Sequence, residues 1–389
     1  IMDNRLKIAV VGIGGTGSAT CRYLARSGHI VIGYEQFEIG HQKGSSHGES
    51  RIIRYTYPDI LYTEMMSDAY KLWNELENEA NETLFVKCGG LYFGAEDCSD
   101  VLITEKALID TNLPYKRLTA EETTEHYPAV HLKSNEIALY QADSGYLRAT
   151  KCVLANVRLA REYGATILEN TPVTDIIPLN NGKTIIRTSG SNEDQFDRVI
   201  VTAGPWISKL FSILNLALNI TRQQIVYLNI KKNHEYFHSS QFPVWIDANT
   251  HMYGFPMDGQ IVGVKMASHQ CGQTVTDLDA PRSSVDEDYI QLIRNYAKQR
   301  FPDLSEEITY SQTCLYTNTF NGDFIIDQIP EMANVFIVSG CSGHGFKFTV
   351  LLGKIVADLA TGKPYSRDIS RFYLKNFLTK DLPQEYRRL

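Results

Sequence analysis

The sequence contains no apolar run that approaches the ~20 consecutive residues needed to cross a membrane as a helix. Its seven cysteines are an odd number without a C-x-x-C pair, which argues against a zinc site or a disulfide framework and for reduced, mostly buried thiols. Basic residues do not dominate, since the net charge is -7 and gives no reason to expect nucleic-acid binding. These absences predict a soluble, intracellular protein with neither a membrane nor a nucleic acid as its partner.

The chain length of 389 residues exceeds what one hydrophobic core usually supports, so we expect two domains that share a cleft. A hydrophobic fraction of 43% and a charged fraction of 21% are ordinary for a soluble globular enzyme. No internal repeat, low-complexity tract or long charge block interrupts the chain.

The most informative stretch is KIAVVGIGGTGSA, at 7–19, in which a β-branched run is followed by Gly12, Gly14 and Gly17 in the G-x-G-x-x-G spacing. A helical pattern then continues to about Gly28. In such a turn the first glycine permits a tight bend, the second leaves room for a pyrophosphate, and the third lets the helix pack closely on the strand. The amide groups of the helix N-terminus then point at the phosphates.

Glu35 supplies the second part of this pattern. It ends the next predicted strand, HIVIGYE, roughly 20 residues after the glycines, where a dinucleotide places a ribose hydroxyl. Glycine-rich turns also have purely structural uses, but the strand-turn-helix context and the acidic residue together predict dinucleotide binding. The pattern leaves open which dinucleotide is bound.

The remaining periodicity describes how the chain is organised. Helical spacing predicts amphipathic helices at 59–78, 148–163 and 286–300. Apolar runs and alternation predict strands at 166–168, 184–186, 198–203, 223–230, 252–264 and 334–338. The interleaving predicts an α/β protein of two discontinuous domains, a Rossmann-like nucleotide domain and a substrate domain built on an antiparallel or mixed sheet. The expected boundaries are 1–84, 145–222 and 325–389 for the first domain, and 85–144 and 223–324 for the second.

A second glycine-rich turn lies near the C-terminus, in SGCSGHGFKF. It follows a predicted strand and precedes a helical pattern that ends at Gly362. Such a turn can direct another helix N-terminus at a cofactor. The presence of His344 and Lys347 in so small a loop favours a functional interpretation over a generic tight turn.

The segment SSHGESRIIR, which begins at Ser45, concentrates positive charge. Arg51 and Arg54 are three residues apart, and in a helical or turn-like segment this spacing places both guanidinium groups on one side. Guanidinium groups bind carboxylates and phosphates through paired hydrogen bonds. The apolar neighbours Ile52 and Ile53 argue against a solvated basic loop.

Taken together, these motifs resemble the monomeric sarcosine oxidase family of FAD-dependent amine oxidases, which includes sarcosine, N-methyltryptophan and pipecolate oxidases. The resemblance extends in order over essentially the whole chain and is most specific in TCLYT and SGHGFKF. The matching segments are the glycine turn with Glu35, SSHGESRIIR (45–54), YGFP (253–256), VGVK (262–265), TCLYT (313–317), DFIID (323–327) and SGHGFKF (342–348).

The resemblance implies an FAD that is covalently bound through Cys314. It also implies that Lys265 activates O2 and that Arg54 and Lys347 hold the carboxylate of the substrate. A thiolate is chemically suited to form the covalent bond, and a cation in an apolar site stabilises the anion that forms as O2 is reduced. Without the resemblance, the alternatives are a buried free thiol at Cys314 and a salt-bridged structural lysine at Lys265.

The resemblance assigns further positions by the same matching. Tyr253, His269 and Tyr316 match groups around the substrate, although His269 alone would equally suit a core histidine. The implied flavin-binding residues, in addition to the glycine turn, Glu35 and Cys314, are Ser45, His47, Arg51, Val173, Gly343, His344, Gly345, Phe346 and Lys347.

The activity expected from the resemblance is oxidation of the C–N bond of a secondary amino acid, such as sarcosine or L-pipecolate, to an imine, with reduction of O2 to hydrogen peroxide. Two alternatives stay open: a related FAD-dependent dehydrogenase with another electron acceptor, and a non-catalytic flavin-binding subunit. A monomer is expected, located in the cytoplasm, or in the peroxisome of a eukaryote. The final Arg387-Arg388-Leu389 lacks the small residue of the usual peroxisomal signal.

Overall fold

A computed structural model describes residues 5–211, 214–269, 272–280 and 283–378. Cys271 and the C-terminal tripeptide lie outside these ranges. The helices of the described ranges are α1 (Gly15–Arg26), α2 (Ile60–Ala80), α3 (Ser99–Asp110), α4 (Ala120–His126), α5 (Ala149–Glu162), α6 (Ile207–Leu210), α7 (Glu287–Arg300) and α8 (Thr349–Ala360). No helix in this part of the chain is long and apolar enough to cross a membrane.

The strands form four sheets. In chain order they are β1 (Lys7–Val11), β2 (Ile30–Tyr34), β3 (Arg51–Ile53), β4 (Phe85–Lys87), β5 (Gly90–Ala95), β6 (Lys116–Thr119), β7 (Glu136–Gln141), β8 (Gly145–Leu147), β9 (Thr166–Leu168), β10 (Val173–Pro178), β11 (Thr184–Thr188), β12 (Glu193–Phe196), β13 (Arg198–Val201), β14 (Leu218–Ile230), β15 (Val244–Asp247), β16 (Met252–Gly254), β17 (Val264–Ser268), β18 (Gln273–Thr274), β19 (Leu304–Thr319), β20 (Ile325–Gln328) and β21 (Val335–Ser339).

A six-stranded sheet with the order β20-β21-β13-β1-β2-β9 forms the first layer. Its strands are parallel except for β20, which pairs antiparallel with β21. The apolar run of β1 is buried on both faces, because α1, α5 and α8 cover the face with Ile8 and Val10, and the small β10-β11-β12 sheet covers the face with Ala9 and Val11. Parallel strands end at one edge, so the turns after β1, β2, β13 and β21 meet there.

The second large sheet has nine strands and is mostly antiparallel. Its centre is the long pair β14 and β19, joined from Leu218 opposite Thr319 to Ile230 opposite Leu304. Strand β17 pairs with the other edge of β14, which brings Lys265 opposite Tyr227. Two three-stranded sheets, β10-β11-β12 and β3-β8-β4, complete the fold.

Most predicted elements are present, with bounds that differ by a few residues. The predicted helices correspond to α2, α5 and α7, and the strand predicted at 166–168 is β9. The alternation at 252–264 is not one continuous strand, because β16 and β17 are separated by residues 255–263. The six described cysteines are free. We predicted that most would be buried, but only Cys21, Cys152 and Cys314 are, and Cys88, Cys98 and Cys341 are partly exposed.

Candidate active site

The glycine turn joins β1 to α1 with very close backbone contacts. Gly12 has a φ of +90°, which side-chain-bearing residues rarely adopt. A Cβ atom at Gly17 would lie 1.9 Å from the carbonyl oxygen of Gly12. Gly14 is the N-cap of α1 and provides no side-chain hydrogen bond to the first turn. The Gly15 amide donates to Ser46 Oγ at 3.0 Å. The next two amides, those of Thr16 and Gly17, are left for an acceptor outside the helix, as an anionic diphosphate would require.

Glu35 follows β2 and is almost fully buried beside this turn. Its Oε2 accepts a hydrogen bond from the backbone N–H of Ile13 at 2.9 Å, and its Oε1 accepts one from Phe37 at 3.1 Å. His41 Nε2 lies 3.4 Å from the same Oε1. These contacts fix the carboxylate with lone pairs left for ribose hydroxyl groups.

A cavity of about 240 Å³ opens along this edge of the sheet. Among the described residues that form its wall, Glu35 is the one carboxylate. The predicted residues in the wall are Gly12, Gly14, Glu35, Ser45, Arg51, Val173, Tyr316, Gly343, Gly345 and Phe346. An anion-binding turn at one end and one fixed carboxylate fit an adenine dinucleotide, so the donor set agrees with the FAD that the resemblance implies.

The Ser45-to-Arg51 loop folds around a guanidinium group. Arg51 Nη2 donates to the carbonyl oxygens of His47 at 2.6 Å and Ser45 at 3.1 Å. Ser45 Oγ donates to the carbonyl of Leu315 on β19 at 2.6 Å, which ties the loop to the second sheet. The buried His47 ring lies in the same loop.

The prediction that the guanidinium groups of Arg51 and Arg54 lie on one side of a helical or turn-like segment is wrong. Arg51 begins the strand β3, and side chains three apart on a strand point to opposite faces. The Arg51 guanidinium lies 6.0 Å from the Phe346 ring, whereas that of Arg54 lies 4.3 Å from the Tyr57 ring. The two arginines therefore belong to different parts of the site.

Lys265 lies on β17 and is buried. Its Nζ donates to the carbonyl oxygen of Ser50 at 2.8 Å and to the Ser50 hydroxyl at 3.2 Å. Burial, assisted by the nearby Arg51 guanidinium, lowers the pKa of Lys265 to about 7. No described carboxylate forms an ion pair with Lys265, so the alternative of a salt-bridged structural lysine does not describe these contacts.

Cys314 lies on β19 close to Lys265, near enough for a thiolate there to oppose the lowering of the lysine pKa. Two tyrosines adjoin it, and the hydroxyls of Tyr253 and Tyr316 are 3.4 Å apart. The ring of His269, just after β17, lies 5.6 Å from the Tyr316 ring. Tyr316 is therefore in contact with both of the other residues, Tyr253 and His269, that were predicted to lie around the substrate.

The other part of the site contains the two remaining cations. Lys347 Nζ donates to the Tyr57 hydroxyl at 3.0 Å and to the carbonyl of His344 at 2.8 Å. Burial first, and then the Arg54 charge, lowers the pKa of Lys347 well below its usual value. Both cations lie against the same ring, since the Arg54 guanidinium is 4.3 Å and Lys347 Nζ 5.5 Å from the centroid of Tyr57.

Sequence reasoning did not identify Ser50 or Tyr57, which bind the two lysines directly. Ser50 and Lys265 are 215 residues apart, and Tyr57 and Lys347 are 290 residues apart. Ser50 lies inside the basic motif, but only the fold brings it to Lys265. No local pattern distinguishes these hydroxyls from those of other serines and tyrosines.

Comparison with known proteins gives the family. Residues 7–359 match the FAD dependent oxidoreductase family, DAO. The chain belongs to this family. It is 30% identical to the human peroxisomal sarcosine oxidase over 95% of each chain, and 32% identical to the monomeric sarcosine oxidase of Bacillus sp. strain NS-129 over 96% of this chain and 97% of that one. These matches confirm the family predicted from the motifs and make the protein an FAD-dependent oxidoreductase.

The fold of the family is also found among solved structures. NikD, described as an unusual amino acid oxidase essential for nikkomycin biosynthesis, superposes with a TM-score of 0.82 at 21% sequence identity, covering 95% of this chain and 97% of that one. The likeness confirms the mixed α/β fold class with a Rossmann-like FAD-binding part.

Proposed function

We propose that this FAD-dependent oxidoreductase is an oxidase of secondary amino acids, such as sarcosine or L-pipecolate, that forms an imine and hydrogen peroxide. The observation that carries the proposal is the placement of Arg54 and Lys347 against the same Tyr57 ring, together with a third cation, Lys265, that is buried on β17. The names of the two relatives, both sarcosine oxidases, support the same substrate class.

FAD supplies the redox chemistry when bound, since it accepts electrons from the C–N bond of the substrate and passes them to O2. The glycine turn, the N-terminus of α1 and Glu35 would hold its diphosphate and ribose. Ser45, His47, Arg51, Val173, Gly343, His344, Gly345 and Phe346 are proposed as the remaining binding residues.

Arg54 and Lys347 are assigned to the carboxylate of the substrate. Two fixed cations on one carboxylate restrict its orientation, which places the α-carbon and the amine in one pose. Tyr253, Tyr316 and His269 would line the space beside the amine, with their polar atoms at the substrate. Among the described residues near the cations, no carboxylate is available as a strong base, so these residues bind and orient.

Lys265 is assigned to O2. A positive charge held in a water-poor environment stabilises negative charge that develops on oxygen as it is reduced. The Ser50 carbonyl accepts from the ammonium but carries no net charge, so the charge of the lysine is not neutralised.

Cys314 is proposed as the covalent attachment of FAD. The thiol is buried on β19, two residues before Tyr316 and near Lys265, whose positive charge would favour the thiolate. We also infer the division into FAD-binding segments 1–84, 145–222 and 325–389 and substrate segments 85–144 and 223–324, and a monomeric state, which agrees with the name of the Bacillus relative.

A panel of amino acids under air tests the proposal. N-alkyl and cyclic secondary amino acids should release hydrogen peroxide, while their decarboxylated amines should react poorly. Arg54→Ala should raise KM for the amino acid by roughly tenfold or more, the loss expected for a charge-assisted hydrogen bond. Substrate-dependent bleaching of the flavin without peroxide would identify a dehydrogenase, and no bleaching with any member would refute the proposal.

A further inference from the structure

Tyr57 lies between the two cations assigned to the substrate carboxylate. It is buried in the turn that connects β3 to α2. Its hydroxyl accepts from Lys347 Nζ at 3.0 Å and lies 3.1 Å from His344 Nδ1. The face of its ring carries the Arg54 guanidinium, 4.3 Å from the ring centroid. One side chain therefore contacts both cations, each by a different part.

The hydrogen-bonding capacity of these groups fixes the direction of each bond. In the ammonium form, which is the form that binds a carboxylate, Lys347 can only donate, so the Tyr57 oxygen accepts from Lys347 and its own proton is directed to His344 Nδ1. The other ring nitrogen of His344, Nε2, lies 2.9 Å from the carbonyl oxygen of Gly322, which can only accept. His344 must then carry its proton on Nε2. Burial and the nearby Lys347 lower the pKa of His344 to about 3, so the ring stays neutral.

The protein contacts of Arg54 and Lys347 do not neutralise their charges. The polar and aromatic partners of Arg54 are Thr56, Tyr57 and Tyr92. Those of Lys347 are Tyr57, the His344 carbonyl and the Phe348 ring. Within the described ranges, neither cation forms an ion pair with a carboxylate. A carboxylate side chain here would compete with a substrate carboxylate, whereas a phenol does not.

The surroundings make Tyr57 rigid. Its ring stacks on Tyr62 at 5.4 Å, and its N–H donates to the carbonyl of Tyr55 at 2.7 Å. The backbone of Lys347 is fixed too, because Trp73 Nε1 on α2 donates to its carbonyl oxygen at 2.7 Å. Both ends of the Tyr57–Lys347 hydrogen bond are thus anchored to α2 or to the turn before it.

We propose that Tyr57 is a positioning residue that holds Lys347 through its hydroxyl and Arg54 through its ring face, so that both charges meet a substrate carboxylate. The inference rests on the proposed function and deepens it. It also specifies that His344 is the Nε2–H tautomer, which accepts from Tyr57 and donates to the carbonyl of Gly322.

The first test compares Tyr57→Phe with Tyr62→Phe in the FAD-loaded protein. Both changes remove one buried hydroxyl from neighbouring stacked rings, but the Tyr62 hydroxyl donates to Asp323 and does not contact Lys347. Calorimetric titration with acetate and with acetamide measures binding with and without a carboxylate charge. Tyr57→Phe should weaken acetate binding about tenfold, the loss of one charge-assisted hydrogen bond, and leave acetamide unchanged. Tyr62→Phe should change neither.

Equal acetate affinities in the wild type and in Tyr57→Phe would overturn the positioning role alone. No preference for acetate over acetamide in the wild type would overturn the carboxylate site of the proposed function, and the positioning role with it. The two failures are therefore distinguishable.

A second measurement does not depend on activity. Nitrogen NMR of 15N-histidine-labelled protein, with His344→Gln used for assignment, reports which ring nitrogen carries the proton. The wild type should show the Nε2–H form, and the Nδ1 signal should shift in Tyr57→Phe and not in Tyr62→Phe. A proton on Nδ1 of the wild type would overturn the proposal, even if Tyr57→Phe failed to fold.

Discussion

Lys265 is a single residue whose environment sets its charge close to neutral pH. Burial and Arg51 lower its pKa to about 7, so the ammonium form prevails below that pH and the neutral amine above it. If the charge assists O2, the rate of reoxidation of the reduced enzyme should fall as the pH rises through about 7. Stopped-flow reoxidation between pH 6 and 9 measures this, and Lys265→Met should be slow and independent of pH. A flat profile in the wild type would separate Lys265 from the oxygen reaction.

Cys314 gives a second prediction at the same scale. Cys314→Ser should release its FAD on denaturation, whereas the wild-type polypeptide should keep its yellow colour after precipitation in acid. Cys341→Ser is the control, because Cys341 borders the cavity but is not the cysteine that matches the family motif. Loss of colour from the precipitated wild type would show that no covalent bond is formed. Colour kept by Cys314→Ser would show that FAD is attached to another residue.

The sequence was most informative about residues that carry chemistry, and least informative about the residues that hold them. Lys265, Lys347 and Arg54 could be identified because they stand in short, specific motifs. Ser50 and Tyr57 could not, because each is defined by a hydrogen bond to a lysine more than 200 positions away in the chain. The spacing of Arg51 and Arg54 was interpreted with the period of a helix. The segment instead contains a three-residue strand, along which successive side chains alternate between faces.

Among the elements, the connection from β1 to α1 is the most constrained. A methyl group at Gly17 would meet the Gly12 carbonyl at 1.9 Å and Thr202 Oγ1 at 2.6 Å, so α1 would have to move away from the turn. Gly17→Ala should lower the free energy of unfolding by about 1–3 kcal/mol, as overpacking does, and lower FAD content further. Urea unfolding and the flavin-to-protein absorbance ratio measure the two effects.

Gly190→Ala provides the control for this change. Gly190 lies between β11 and β12, and an added Cβ there would have no heavy atom nearer than 3.8 Å. It should leave both the stability and the FAD content almost unchanged. Similar losses in the two variants would mean that the turn is not specially constrained.

The elements themselves were predicted with uneven success. Strong periodicity gave α2, α5 and α7, because an amphipathic helix leaves a regular pattern. The 16-residue strand β19, which carries Cys314 and Tyr316, was not predicted as a strand. Most of its residues from Ser305 to Gln312 are partly buried or exposed and polar, so they show little alternation.

At the scale of the whole molecule, the site depends on the meeting of the two large sheets. The first contributes Glu35 and the glycine turn, and the second contributes Lys265 and Cys314. No local pattern specifies this arrangement, because it depends on β14 pairing with β19 over sequence separations from 74 residues (Ile230 with Leu304) to 101 residues (Leu218 with Thr319). The family resemblance, rather than periodicity, allowed it to be expected.

A cavity between separated segments implies that its occupant stabilises the fold. FAD-free Cys314→Ser protein should therefore have a lower melting temperature, and added FAD should raise it again. At a hundred times its Kd, a ligand adds about 2.7 kcal/mol to the free energy of unfolding. Riboflavin, which lacks the adenosine diphosphate half, should restore much less, because the glycine turn and Glu35 would have no ligand. Equal shifts with FAD and riboflavin would contradict the placement of the diphosphate.

The most direct measurement separates the two half-reactions of the Lys265→Met variant in a stopped-flow instrument. With a secondary amino acid under anaerobic conditions, flavin bleaching should occur at a rate within a few-fold of the wild type, since Arg54 and Lys347 are untouched. On mixing with O2, recovery of the flavin absorbance should be slower by roughly 100-fold or more, the usual cost of removing a charge-stabilising group. Normal reoxidation of the variant, or equal loss of both half-reactions, would contradict the assignment of Lys265 to O2 and of Arg54 and Lys347 to the substrate carboxylate.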